Sequence, residues 1–124
     1  MEEKDILNAE KGNKESIKLT PKVVKIVSMK LETIGEKKST KVIFSVKHPD
    51  KLELINISSV KYEVPGSLKH SGTWVNLDED NKIRKGSALS ILLDFMNIKT
   101  LRELEGKDIN TAEDKSGYLC LKAY

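Results

Sequence analysis

Between Lys22 and Val64 the chain carries three β-rich runs in close succession, VVKIVSMKLE, TKVIFSVKH and LELINISSVKYEV, separated by seven and then three residues. Three such runs so near one another leave the remaining residues little to do except close what the strands begin. Their phases are informative. In the first run, Val24 and Ile26 share one face, whereas Val27, Met29 and Leu31 share the other. A change of phase inside an apolar strand is what a β-bulge produces, and small closed sheets need such bends. The second run is regular, with Val42, Phe44 and Val46 on one side and Lys41, Ile43, Ser45 and Lys47 on the other. The third reads as one long strand from Leu52 to Val64 with apolar residues on both faces, as in a curved strand that serves two parts of a barrel.

The link Thr33 to Ser39 supplies Gly35 for its turn and places Lys37 and Lys38 at its tip. Pro65-Gly66 marks the end of the third strand, and Thr73 to Leu77 reads as a short strand before the acidic turn Asp78 to Asn81. Gly86-Ser87 opens the one clear helix. Ser87 is its expected N-cap, and Leu89, Ile91, Leu92, Phe95 and Met96 form its apolar stripe, which places Phe95 in the core together with Phe44. Asn97 stops this helix. A further helical turn, Leu101 to Leu104, is capped by Thr100 and ended by Gly106. The chain finishes with a hairpin: Lys107 to Asn110, a polar turn from Thr111 to Gly117, and a strand from Tyr118 to Tyr124.

A length of 124 residues suits a single domain with one core. The expected division is a flexible charged tail over residues 1–17 and a barrel domain over residues 18–124. The composition is mainly β with one helix, and the order strand, strand, strand, helix, strand, strand is that of the OB-fold. That fold is a five-stranded Greek-key barrel whose ligand face is formed by strands two and three. An SH3-like barrel or an α+β meander accommodates the strands nearly as well.

Charge is unevenly spread. Residues 1–17 carry net −2, residues 18–85 net +6 and residues 86–124 net −1. The segment Lys18 to Lys47 alone holds eight lysines against Glu32 and Glu36. Such focusing is the sequence footprint of a face that attracts a polyanion, although a lysine-rich edge also resists aggregation. Only Arg84 and Arg102 supply guanidinium forks. Lysine meets phosphate as a point charge, whereas arginine reads guanine edges, so backbone contact without sequence preference is expected. Candidate contact residues are Lys25, Lys30, Lys37, Lys38, Lys41, Lys47, Lys61, Arg84 and Lys85, with Tyr62 and Trp74 as candidate stacking surfaces. Aromatic residues are few, only six in all.

Other function classes find little support. One cysteine, Cys120, forms no internal disulfide, and with His48 and His70 it does not complete a four-ligand zinc site. The acidic turn lacks the glycine and distal glutamate of an EF-hand loop. No phosphate-binding glycine loop and no nucleophile elbow occurs, so neither an enzyme nor a cofactor is expected. No apolar run approaches the roughly 20 residues of a membrane span, and a reduced, cytoplasmic setting is expected.

In the second half, Lys85-Gly86-Ser87-Ala88-Leu89, the segment Leu101 to Lys107 and the final strand beginning at Tyr118 after Gly117 resemble the C-terminal half of small phage-type and archaeal OB-fold proteins. There a lysine- or serine-led helix precedes a short leucine, glycine-lysine segment and a last strand. The resemblance spans about fifty residues and implies binding of single-stranded DNA or RNA, as in DNA replication. The alternative expectation is a protein–protein module, an accessory factor of replication or viral assembly, with the acidic N-terminal tail engaging a partner.

Overall fold

The computed structural model describes Leu7, Asn8, residues 19–36 and residues 39–124. Lys37 and Lys38 lie outside the described residues, as does the expected tail apart from Leu7 and Asn8.

Strands β1 (Val24–Ile34) and β2 (Ser39–Lys47) form a long antiparallel hairpin. Its register shifts between Ile26 and Ser28, which leaves Val27 as the extra residue of a bulge at the expected change of phase. On the inner side Val24, Ile26, Val42, Phe44 and Val46 are buried. The third run departs from expectation. It is two strands, β3 (Ile55–Ile57) and β4 (Ser59–Val64), and Leu52 and Leu54 fall outside both, Leu52 being 96% exposed. The break is at Ser58, whose carbonyl accepts from the Thr73 N–H at 3.0 Å. There the chain leaves β2 as partner and enters the second sheet.

Pro65-Gly66 ends β4 at Val64, as expected, but another strand follows at once. It turns the chain directly into β5 (Ser67–Gly72), which pairs with β4 from Val64 against Ser67 to Ser59 against Gly72. Gly66 has φ +85°, the value a type II turn requires after its proline, and a residue with a Cβ adopts it poorly. The expected strand at Thr73 to Leu77 reduces to isolated bridges, Lys41 with Trp74 and Leu77 with Ile83. Thr73 to Val75 run beside β2, where the Val42 N–H donates to Thr73 O at 2.9 Å and the Val75 N–H to Thr40 O at 2.8 Å. This segment fills the gap left where β4 diverges from β2.

Helix α1 (Ala88–Phe95) starts as expected, with Ser87 Oγ accepting from the Ser90 N–H at 3.3 Å, and Asn97 beyond its end has φ 57°. Leu89, Leu92 and Leu93 are buried, but Phe95 is 47% exposed and is not a core residue. At 3.6 residues per turn, Phe95 lies roughly 110° around the helix from the centre of the face made by Leu89, Leu92, Leu93 and Met96. In the following 3-10 turn, Leu101–Leu104, Leu104 is buried and the Glu103 carboxylate accepts from the Lys99 and Thr100 N–H groups at 2.8 and 2.9 Å.

The last elements are β6 (Asp108–Ile109), β7 (Thr111–Glu113) and β8 (Leu119–Ala123), so Thr111 to Glu113 is strand where a polar turn was expected. The strands form two four-stranded sheets, β3-β2-β1-β6 and β5-β4-β8-β7. Their pairings connect. β1 holds β6, and the chain passes Asn110 into β7, which pairs with β8. β8 lies parallel to β4, and β4 runs through Ser58 back into β3 beside β2. The body is mainly β and barrel-like, with α1 between β5 and β6 in chain order. Helix α1 packs against β4 and β8.

His48 fastens the start of this body to the end of β2. Its fully buried ring accepts at Nδ1 from the Asp50 N–H at 3.0 Å, which leaves Nε2 to donate to Thr20 O at 2.8 Å. Lys22 adds an ion pair to Asp50 at 2.7 Å.

Candidate nucleic-acid interface

The bulge decides where the lysines of the hairpin point. Lys25 and Lys30 are five residues apart and would fall on opposite faces of a regular strand. With Val27 as an extra residue, Lys25 lies opposite Lys47, Ser28 opposite Ser45, Lys30 opposite Ile43 and Glu32 opposite Lys41. Lys25, Lys30, Lys41 and Lys47 therefore share the outer face. They are not equally available. Lys25 Nζ pairs with Asp108 at 3.2 Å and donates to Gly106 O at 3.2 Å. Lys47 Nζ donates to the carbonyls of His48 and Lys51. The Lys30 ammonium makes no ion pair or hydrogen bond among the described residues. Exposed pairs of this kind contribute about 0–1 kcal/mol, so a phosphate competes for Lys25 on nearly equal terms.

Lys41 leads to Trp74. Its Nζ lies 5.1 Å from the indole centroid, and the half-buried ring rests on the backbone of Gly72. A Cβ at Gly72 would stand 2.7 Å from Trp74 Nε1, so only glycine lets the ring sit so close. Gly72 and His70 share a face of β5, and His70 lies directly opposite Lys61 on β4. There the surface becomes a groove of about 570 Å³, lined by Lys61, Leu68, Lys69, His70, Asp114, Lys115 and Ser116. Lys30 and Lys41, with Glu32 opposite Lys41, then Trp74 beside Gly72, then Lys61 and Lys115 at the groove thus follow one another along the outer surface.

The far wall of the groove is the loop between β7 and β8, and Asp114 organises it. Its Oδ1 accepts from the Ser116 and Tyr118 N–H groups at 2.8 and 3.0 Å. The Tyr118 amide, foremost, holds the Asp114 carboxyl below the ordinary carboxylate range, and the His70 ring acts in the same direction. Lys61 Nζ approaches Glu113 O at 3.4 Å. Cys120 lies buried on β8 near Lys61 and Asp114, with Sγ 3.5 Å from Ala112 O, and burial pushes its thiol up to about 11. A thiol held neutral in this way is a weak nucleophile.

The remaining expected contacts are elsewhere. Tyr62 is half-buried against the core, on the inner side of β4 from Lys61. Arg84 and Lys85 are exposed in the turn before α1, where Arg84 Nη2 donates to Leu77 O at 3.1 Å. The acidic turn is closed by its own backbone, since Asp78 Oδ1 accepts from the Asp80 and Lys82 N–H groups at 2.8 and 3.0 Å. Sequence reasoning missed Lys69, His70 and Lys115. The signal existed in Pro65-Gly66, because a two-residue hairpin there puts His70 opposite Lys61 by counting alone. Tyr118, 61% exposed at the edge of the β7–β8 loop, is a further aromatic surface. No helix among the described residues is long and apolar enough to cross a membrane. In comparisons with known proteins, the chain matches no protein-family model, no curated protein and no solved structure.

Proposed function

We propose that this protein binds single-stranded nucleic acid without sequence preference, using the outer surface of an OB-type barrel. If β3 with β4, and β6 with β7, each count as one bent strand, the five runs pair in the circular order 1-2-3-5-4 and back to 1. The parallel contact joins the third and fifth, and α1 falls between the third and fourth. This arrangement supports the OB reading, with β5 as an added strand.

The observation that carries the functional reading is the succession of Lys30, Lys41, Trp74, Lys61 and Lys115, with an aromatic ring at its midpoint. A strand of nucleic acid presents phosphates at regular intervals with bases between them. Point charges flanking an indole match that pattern, and stacking contributes about 1–3 kcal/mol per base. The predominance of lysine over arginine favours backbone contact over base reading.

The test is a titration of single-stranded DNA followed by the fluorescence of Trp74, the sole tryptophan, over a range of salt concentrations. Micromolar binding that weakens steeply with salt is expected. Combining Lys61→Glu with Lys115→Glu should lower the slope of log K against log salt by roughly 1.4, two single-strand phosphate contacts. No binding at low salt overturns the reading, and an unchanged slope moves the site off the groove.

A further inference from the structure

We propose that the free edge of β1 is a self-pairing surface, and that two copies of this chain join there into one continuous antiparallel sheet about a two-fold axis centred on Leu31. β1 is paired on both sides only at its start. Val24 and Lys25 face β6, and Ile26 exchanges hydrogen bonds with Gly106 and Lys107. From Ser28 to Ile34 its only strand partner among the described residues is β2.

The direction of the unpaired groups follows from β2. Val42 donates its N–H to Thr73 O, and its carbonyl accepts from the Thr73 hydroxyl, while the Thr40 carbonyl accepts from the Val75 N–H. Val42 and Thr40 thus point their backbone groups away from β1. Their partners Leu31 and Thr33 form non-hydrogen-bonded pairs with them and present N–H and C=O to the open side, as does Met29 by alternation. A row of such groups is a template for another strand.

The sequence along this edge is self-complementary in one register. With Leu31 opposite the partner copy's Leu31, the outward groups of Met29, Leu31 and Thr33 meet their counterparts as hydrogen-bonded pairs. Lys30 then lies opposite the other copy's Glu32, and Glu32 opposite its Lys30, on the outer face. Centring on Lys30 or on Glu32 instead opposes like charges, which is destabilising. Centring on Met29 or Thr33 runs into the bulge or into Gly35. Within each chain Glu32 already faces Lys41 and Lys30 faces Ile43, so each row of the joined sheet reads Lys41, Glu32, the other copy's Lys30 and its Ile43, with charge alternating over the first three strands. On the inner face Leu31 is 68% exposed beside a groove of about 260 Å³, formed with Met29, Val42, Leu101 and Arg102. The second copy's Leu31 covers the apolar surface that this chain leaves open. Two-fold, isologous pairing is the commonest way in which soluble chains associate.

The experiment is the molar mass of the full chain by light scattering and sedimentation across micromolar concentrations. The expected result is a concentration-dependent dimer. Lys30→Glu and Glu32→Lys, made separately, each oppose like charges twice across the axis and should raise the dissociation constant roughly tenfold or more. Combining them restores opposite charges and should restore dimerisation. Circular dichroism and thermal unfolding keep loss of pairing apart from loss of fold. Leu31→Pro provides a second variant, because its N–H faces the open side and the hairpin with β2 survives its removal; a folded monomer is expected. A wild-type monomer throughout, single variants that dimerise normally, or a double variant that stays monomeric would each overturn the proposal.

Discussion

Gly72→Ala isolates the contact that joins the two lysine groups. Gly72 has no positive φ, so the methyl group meets no backbone objection, and the β4–β5 pairing with Ser59 remains available. The obstacle is Trp74. The new Cβ stands 2.7 Å from Nε1 and 3.2 Å from Cδ1, so the indole must retreat by about 0.8 Å to regain ordinary contact near 3.5 Å. Lys41 Cε, at 3.0 Å, belongs to a flexible chain and moves aside easily. Overpacking of this kind costs about 1–3 kcal/mol, and replacing a strand glycine returns roughly 0.5–1 kcal/mol. A net loss on the order of 1 kcal/mol is expected. The lone tryptophan makes the assay direct: emission should shift to the red and iodide quenching should rise, while far-ultraviolet circular dichroism stays unchanged. Affinity for single-stranded DNA should fall together with these changes. Higher stability with unaltered emission and quenching would refute the account of Trp74 as packed on Gly72.

Two further predictions concern groups buried near the surface. His48→Ala removes both partners of the Thr20 carbonyl and the Asp50 N–H and opens a buried space; a loss of about 2–4 kcal/mol is expected in denaturant unfolding, and a change below about 1 kcal/mol would contradict its role as a fastening. For Cys120 the sign follows from a folded value near 11 against 9.0 for the free thiol. Its contribution to stability is complete below about pH 9 and lost as pH rises towards about 11, so the wild type should lose more Tm over that window than Cys120→Ala does.

The β1–β2 hairpin was legible because Val24, Ile26, Val42, Phe44 and Val46 are buried on one face and only Ile43 is buried on the other. Alternation at Val42, Phe44 and Val46 then reports directly on orientation, and the phase change at Val27 reports the bulge that gathers Lys25 and Lys30 onto one side. Helix α1 was equally plain at its ends, where Ser87 and Asn97 carry local chemistry that needs no neighbours. Phe95 was misplaced because an apolar residue on the flank of a helix looks like one on its stripe until the packing partner's width is known. The third strand was overextended for a related reason: Leu52 and Leu54 are apolar, but no sheet lies beside them to bury them.

Local chemistry by itself therefore determined the strand-rich composition, the bulge, the helix caps and the concentration of lysine in the first two strands. Tertiary structure decided which of those lysines remain available. Lys25 is drawn to Asp108 and to the Gly106 carbonyl, which only the fold brings near, whereas Lys47 is held by the local carbonyls of His48 and Lys51. It also decided that Trp74 lies between Lys41 and Gly72, and that Lys61, His70 and Lys115 line one groove. The physical reason is range. Alternation, caps and turns act over a few residues, whereas the groove depends on Pro65-Gly66 folding β5 back on β4 and on Asp114 shaping a loop some fifty residues further along the chain.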